Sequence, residues 1–445
     1  MISRLYGIPT NRVLPLAMGF KPAIEWPQIQ TPEESLADSI IVRLRGIVRR
    51  EDKTPIKKNT TVGTLPTDRR PPKDLCFVVA GGDESIGRIY INARTGALIE
   101  GMAMVYDHVF LDGVQFFVAP LPANFIQLNP AFRPATEWPT IQYPAVSVLG
   151  ERVFLRGLAK TVDGSIVKKG GIVGVIPANL RPPKDVCFIV AGGDESIGRV
   201  YVNAKLGTLN VGMPMAYNHI FLDGIQFFKA HTPAGATLPW KPVPLTTGFR
   251  PATEWPHIQT PEYYITDNIV YMRGLVKKAD GTPIKKNTVI GVLPPEARPP
   301  KDLAFVVAGG GESVGRIYLN WKTGTITVGV PMVYDHTFLD GIRFSTSPVV
   351  APAIVPTIAP PPTSALTVEV PTAKALTVEV PVEPLPEVIT KETMIPTQIT
   401  YHREGYPTKK LVCPSRTVCK PLAGPISLEM LLALGILGLV AYTRD

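Results

Sequence analysis

The stretch Arg70-Pro71-Pro72-Lys73-Asp74-Leu75-Cys76-Phe77 returns as Arg181-Pro182-Pro183-Lys184-Asp185-Val186-Cys187-Phe188 and again as Arg298-Pro299-Pro300-Lys301-Asp302-Leu303-Ala304-Phe305. The same pieces follow each copy in the same order. First come Gly87-Arg88-Ile89-Tyr90-Ile91-Asn92, Gly198-Arg199-Val200-Tyr201-Val202-Asn203 and Gly315-Arg316-Ile317-Tyr318-Leu319-Asn320. Then come Phe110-Leu111-Asp112-Gly113, Phe221-Leu222-Asp223-Gly224 and Phe338-Leu339-Asp340-Gly341. The spacing is far longer than a solenoid unit of about 20–50 residues and has the size of a small domain. One domain is written three times.

Ahead of these pieces, each copy carries a shared tag: Glu25-Trp26-Pro27, Glu137-Trp138-Pro139 and Glu254-Trp255-Pro256. Proline pushes the residue before it toward extended backbone, so the tag reads as an arm or edge strand. Its Trp plugs the core at the domain entrance, with a ligand platform as the alternative. Next, Ile40 to Gly46, Val153 to Gly157 and Val270 to Gly274 alternate apolar and polar side chains about an Arg, the pattern of a half-buried strand. Asp163-Gly164 and Asp280-Gly281 are hairpin signals, and Val62-Gly63-Thr64-Leu65-Pro66 is a short strand stopped by proline. The spacing then predicts a strand over Leu75 to Ala80, a polar loop, a hairpin closed at Arg94-Thr95-Gly96, and a last strand from Val109 to Phe117. No ten-residue stretch of the repeats has helical periodicity. The fold class expected is all-β: three tandem sandwich or jelly-roll-like domains over 21–120, 121–231 and 245–346, after an N-terminal arm, 1–20.

The 445 residues suit three domains plus extras. The 47 prolines gather at repeat junctions and beyond residue 346, as turns and stiff spacers. There the decapeptide Pro361 to Val370 is echoed by Pro371 to Val380, which predicts an extended stalk over 347–421; as an alternative, its Thr-Val-Glu-Val pieces add to a sheet edge. The end, 422–445, reads as a short hydrophobic helix. Met430 to Tyr442 is unbroken apolar sequence; counted from Leu422 it is long enough to span a membrane, although Pro425 and Glu429 interrupt it. Membrane anchoring is the expectation, and a packing helix in an oligomer interface the alternative. The first twenty residues lack the charged and apolar regions of a signal peptide. A net charge of +9, without a long basic run or a recognition motif, implies mild attraction to anionic surfaces and no nucleic-acid partner. Cys76 and Cys187 read as small buried strand residues, their third counterpart being Ala304. Cys413 and Cys419 are spaced to close a small disulfide loop in an oxidising setting.

Chemistry-bearing motifs are sparse. The loops Gly81-Gly82-Asp83-Glu84, Gly192-Gly193-Asp194-Glu195 and Gly309-Gly310-Gly311-Glu312 lack a Walker lysine and a helix to open, and supply too few oxygens for calcium. They read as surface hairpin loops, and Asp83, Glu84, Asp194, Glu195 and Glu312 are the candidate binding residues, because loops carry binding. His108, His219 and His336 recur. They read as strand-entrance histidines bonded to backbone; a metal cluster on a pseudo-threefold axis is the alternative. Paired carboxylates, nucleophile elbows and HExxH are missing, so no catalytic residue, metal or cofactor is expected and the chain does not read as an enzyme.

The order Leu-Arg-Gly, Gly-x-Leu-Pro, Arg-Pro-Pro-Lys-Asp, Gly-Arg-Ile-Tyr-Ile-Asn, Leu-Asp-Gly-Val-Gln-Phe resembles the β-rich repeats of tailed-phage tail fibres and minor tail proteins. The resemblance covers roughly 40–117, 150–228 and 268–344. It implies a virion surface protein, spike-like or fibre-like, that meets other virion proteins and a host receptor such as a polysaccharide, commonly in trimeric assemblies. The tandem copies, the Glu-Trp-Pro tag and the apolar end are not part of that pattern, and the end suggests anchoring through 422–442 in a virion membrane or shell. The rival readings are a purely architectural capsid or tail component and a bacterial surface adhesin. Either an oligomer or an intrachain pseudo-trimer suits the long connectors between repeats.

Overall fold

The computed structural model describes residues 10–120, 122–230, 238–346, 398–401 and 409–412. The chain divides into two compact units, Met1–Ala359 and Pro360–Asp445. In the second, the described residues form one antiparallel hairpin, Gln398–Tyr401 with Lys409–Val412. This hairpin falls within the expected stalk. The rest of the stalk, Cys413, Cys419 and the apolar end lie outside the described residues. Among the described residues no helix is long and apolar enough to cross a membrane.

The described residues of the first unit are all-β, their paired strands antiparallel, interrupted by three single 3₁₀ turns at Thr67–Arg69, Ala178–Leu180 and Pro295–Ala297. The strands of the first repeat are β1 (Thr10–Val13), β2 (Phe20–Pro22), β3 (Glu33–Ala37), β4 (Ile41–Arg45), β5 (Ile47–Arg50), β6 (Thr61–Thr64), β7 (Leu75–Ala80), β8 (Ile86–Ile91), β9 (Ala97–Glu100), β10 (His108–Phe110) and β11 (Gln115–Phe117). They form three sheets, ordered β1-β3-β4-β11, β10-β5-β2 and β6-β9-β8-β7. The third repeat has the same three sheets. In the second, Gln127–Leu128 adds a fifth strand to the last of them.

One glycine explains how a single apolar run serves two sheets. Gly46 separates β4 from β5 at φ +92°, and a Cβ there would lie 2.2 Å from the carbonyl oxygen of Thr31. Only glycine fits so close to backbone at positive φ, and Gly157 and Gly274 repeat the arrangement.

Several boundaries differ from the sequence expectation. The first repeat starts earlier than residue 21, because β1 pairs with β3 and β2 with β5; part of the expected arm is therefore sheet. The expected last strand, Val109 to Phe117, is broken at Leu111 to Val114 into β10 and β11, which enter different sheets. The break lets Asp112 turn inward. Asp163-Gly164 and Asp280-Gly281 do form turns, but the strands flanking each belong to different sheets, so neither closes a hairpin. The hairpin at Gly96 forms as expected between β8 and β9.

Each repeat has its own core, centred on Val42, Phe77, Ile89 and Leu98 in the first and on their counterparts in the others. β7 is buried on both faces. Phe77 and Val79 enter its own repeat, whereas Cys76 and Ala80 face residues of a neighbouring repeat. The period-two alternation of a strand thus sorts bulky residues to the core and small ones to the seam. β7, Val186–Ala191 and Leu303–Ala308 also lie against one another. The repeats meet cyclically: first with second, second with third, and third back to first.

Candidate functional site

The two most repeated motifs dock on each other at these seams. Asp74 of the first Arg-Pro-Pro-Lys-Asp donates its amide to Thr140 O of the second repeat's tag at 2.9 Å, and Asp74 and Ile141 form a parallel bridge. Asp185 does the same with His257 (2.8 Å) and Asp302 with Gln28 (2.8 Å), which closes the ring. Lys73 and Lys301 add bonds to Pro139 O and Pro27 O at 2.8 and 2.6 Å. The prolines leave these segments extended and stiff, and each tag lies along the neighbouring repeat.

A buried carboxylate locks each seam. Asp112 accepts from Gly46 N in its own repeat and Ala304 N in the third, at 2.8 and 2.9 Å. Asp223 accepts from Gly157 N and Cys76 N, and Asp340 from Gly274 N and Cys187 N. Burial pushes all three carboxyls up to about 6 despite the two amide donors each receives. Cys76 and Cys187 are fully buried at the same seams, and desolvation raises both thiols, Cys76 to about 11, so neither is a reactive thiolate at neutral pH.

A buried arginine reaches the other way. Arg88, Arg199 and Arg316 have no exposed surface, although each sits in an otherwise apolar strand. Arg316 donates to the carbonyls of Gly81 (2.6 Å), Ser85 (2.5 Å) and Asp83 in the first repeat. Arg199 donates to Gly309, Gly311 and Ser313 of the third. Arg88 makes the weakest version, 3.5 Å to Ser196 O, and turns to Tyr90 and Cys76 instead. In the sequence these arginines stand only as letters of the Gly-Arg-Ile/Val-Tyr motif. The signal was present: a charge repeated three times in mid-strand, with apolar neighbours on both sides.

The polar loops close hairpins at the surface as expected, with Asp83 and Glu84 exposed, and they are seam elements as well. Their backbone carbonyls receive the arginines, and their carboxylates receive lysines from another repeat. Lys286 pairs with Asp83 (2.7 Å) and Glu84 (3.0 Å), Lys58 with Asp194 and Glu195 (3.3 Å to the latter), and Lys169 with Glu312 (2.8 Å). The structure brings the five candidate binding residues to three equivalent places and engages each of them internally.

What remains displayed is an aromatic row beside each seam. Trp26 meets His108 edge-on at 5.1 Å, and Trp138–His219 and Trp255–His336 repeat the contact at 5.0 and 5.1 Å. Arg49, Lys160 and Lys277 lie over the indoles, a cation–π arrangement. Tyr106 and Tyr334 extend the row beyond the histidine and are 40% and 50% exposed. The expected Trp plug thus sits at a seam: Trp26 is half-buried against a cluster that joins Ala23, Ile47, Ala80 and Phe110 to Ala304 of the third repeat.

The histidines begin their strands as expected, but Nδ1 faces a side chain rather than backbone: Asp107 and Asp335 at 2.8 Å, and Asn218 at 3.1 Å. Desolvation lowers His108, and it takes His219, which lacks a carboxylate partner, down to about 4. The three histidines occupy separate rows. Among the described residues no group of three or more His, Cys, Asp or Glu is placed to hold a metal ion.

No protein-family model matches the chain, and neither does any curated protein or solved structure.

Proposed function

We propose that this chain is a structural protein exposed on a virus particle, and that its three sandwich-like repeats form one head. The observation that carries the reading is the seam between the third repeat and the first, Asp302 to Gln28 and Asp112 to Ala304. Through it one chain closes the ring that the fibre resemblance attributes to three chains. Segment 347–421 serves as the stalk, and 422–442 anchors the head to the particle.

Host contact falls to the three aromatic rows, which offer Trp, His and Tyr with fixed charges around them. Exposed aromatics with polar rims suit recognition surfaces, and three linked weak sites act with avidity. The purely architectural reading draws on a different observation, the internal pairing of every candidate loop carboxylate.

Immunogold labelling of intact purified particles, with antibody raised against the full chain, tests the assignment. Label is expected on the outer surface. Label only after particle disruption, or on uninfected cells, overturns it. Excess purified chain should also block particle adsorption, and Trp26→Ala/Trp138→Ala/Trp255→Ala should block less. Equal blocking removes the aromatic rows from host contact and leaves the architectural reading.

A further inference from the structure

Three grooves run along the three seams, and Arg343 lines all of them. It opens the last strand of the third repeat, where the first and second repeats have Gln115 and Gln226. Each of the three side chains is 7% exposed, so the pseudo-threefold packing gathers one guanidinium and two amides at a common buried junction.

This junction is rich in cations and poor in partners. Arg43 donates Nε to Gln115 Oε1 at 3.3 Å. Arg152 gives Nη1 to the buried Tyr271 hydroxyl at 2.9 Å and pairs with Asp38 at 2.7 Å. Arg343 gives Nη2 to Gly113 O at 3.0 Å, while its Nε is buried without a partner. Gln115 Nε2 and both polar atoms of Gln226 are also buried without one. Asp38 faces Arg43 and Arg152, and Arg152 occupies it; the other carboxylates along the grooves, Asp112, Asp223 and Asp340, are taken up by two seam amides each. Buried polar groups are nearly always satisfied, and buried charges are paired. Arg43, Arg152 and Arg343 share the single carboxylate of Asp38, which leaves positive charge around three vacant donors and one vacant acceptor.

We propose that this junction binds a small oxyanion, phosphate or sulfate, through Arg343 and Arg43 with the side-chain amides of Gln115 and Gln226. Guanidinium and amide donors match tetrahedral oxyanions, and charge-assisted bonds in a dry site are the strong ones. Burial and the charges of Arg43 and Arg152 lower Arg343 to about 10, so it remains cationic at neutral pH. The bound anion holds all three repeats at once, and this inference stands apart from the virion reading.

Equilibrium dialysis of the full chain against radiolabelled phosphate, in chloride buffer at fixed ionic strength, tests it. A single saturable phosphate per chain is expected, half-bound below about 1 mM, and sulfate should compete with it. Arg343→Gln places at 343 the side chain native to positions 115 and 226, and should weaken binding at least about tenfold. Absence of saturable binding in the wild-type chain overturns the proposal whether or not the variant folds. Undiminished binding by a folded Arg343→Gln chain overturns the assignment to this junction.

Discussion

Asp223 accepts a hydrogen bond at 3.1 Å from the amide of Cys76, 147 residues earlier in the chain. Its other oxygen takes the amide of Gly157, at the sheet-switching glycine of its own repeat, at 2.9 Å. One carboxylate therefore fixes a strand switch inside the second repeat and the start of β7 in the first. The Leu-Asp-Gly motif recurs because every seam needs this reach, and the turn that breaks the expected last strand is what allows it.

Removing the carboxylate leaves two buried amides unsatisfied, at about 1–3 kcal/mol each. Asp223→Ala is expected to cost about 2–6 kcal/mol in urea unfolding, and Asp223→Asn, which keeps an acceptor, about half as much. An alanine variant as stable as the parent shows that the seam does not depend on this contact.

The two cations that cross each seam differ in weight. Lys58 is partly exposed against Asp194 and Glu195, and pairs of that kind contribute about 0–1 kcal/mol. Arg199 is fully buried against three carbonyls. Lys58→Ala should lower stability by less than about 1 kcal/mol, and less still at high salt. Arg199→Ala should cost about 3–5 kcal/mol, combining lost packing with orphaned carbonyls. Equal losses in paired denaturation curves contradict this ranking.

His219 differs from His108 and His336 in its neighbour, Asn218 in place of an aspartate. Its folded pKa, about 4 against a usual 6.5, is lowered by burial and by Arg88 and Lys160. The folded state thus binds fewer protons there, so the stability it contributes is full above pH 6.5 and is lost as pH falls toward 4. Asn218→Asp places a carboxylate at Nδ1 and should raise the His219 pKa by one unit or more, in the order of about 1–2. Histidine NMR titration reads this directly, and an unmoved His219 contradicts it.

The three copies, the strand over Leu75 to Ala80 and the Gly96 hairpin were legible because period-two patterning and turn chemistry are local. The partners of the motifs were not. Arg70-Pro71-Pro72-Lys73-Asp74 and the Glu-Trp-Pro tag each look like polar loop sequence, and their complementarity exists only once two repeats meet. The lysine partners of the acidic loops were hidden for the same reason, since Asp83 and Lys286 are 203 residues apart. Two clues were readable: β7 is apolar on both faces, which a free domain does not need, and Arg88 sits charged in the middle of β8. Both point to a second buried face.

Glu100 is where the first repeat departs from its siblings, which have Val211 and Val328 at that point of the strand. It is fully buried; Oε1 accepts from Arg88 N at 2.9 Å and Oε2 has no partner. Desolvation raises its pKa from the usual 4.5 to about 8. The folded state therefore holds this proton more tightly than the unfolded chain does, and the stability gained is full below pH 4.5 and lost as pH rises through 8. Glu100→Val should remove that slope. At pH 9, where the parent buries a carboxylate, the variant should be more stable by about 1–4 kcal/mol, whereas at pH 4 the advantage should shrink toward zero or reverse, because the neutral acid still accepts the Arg88 amide. Melting or urea curves at the two pH values decide it. A gain independent of pH assigns the effect to packing, and no gain at pH 9 means that the carboxylate finds a partner in solution.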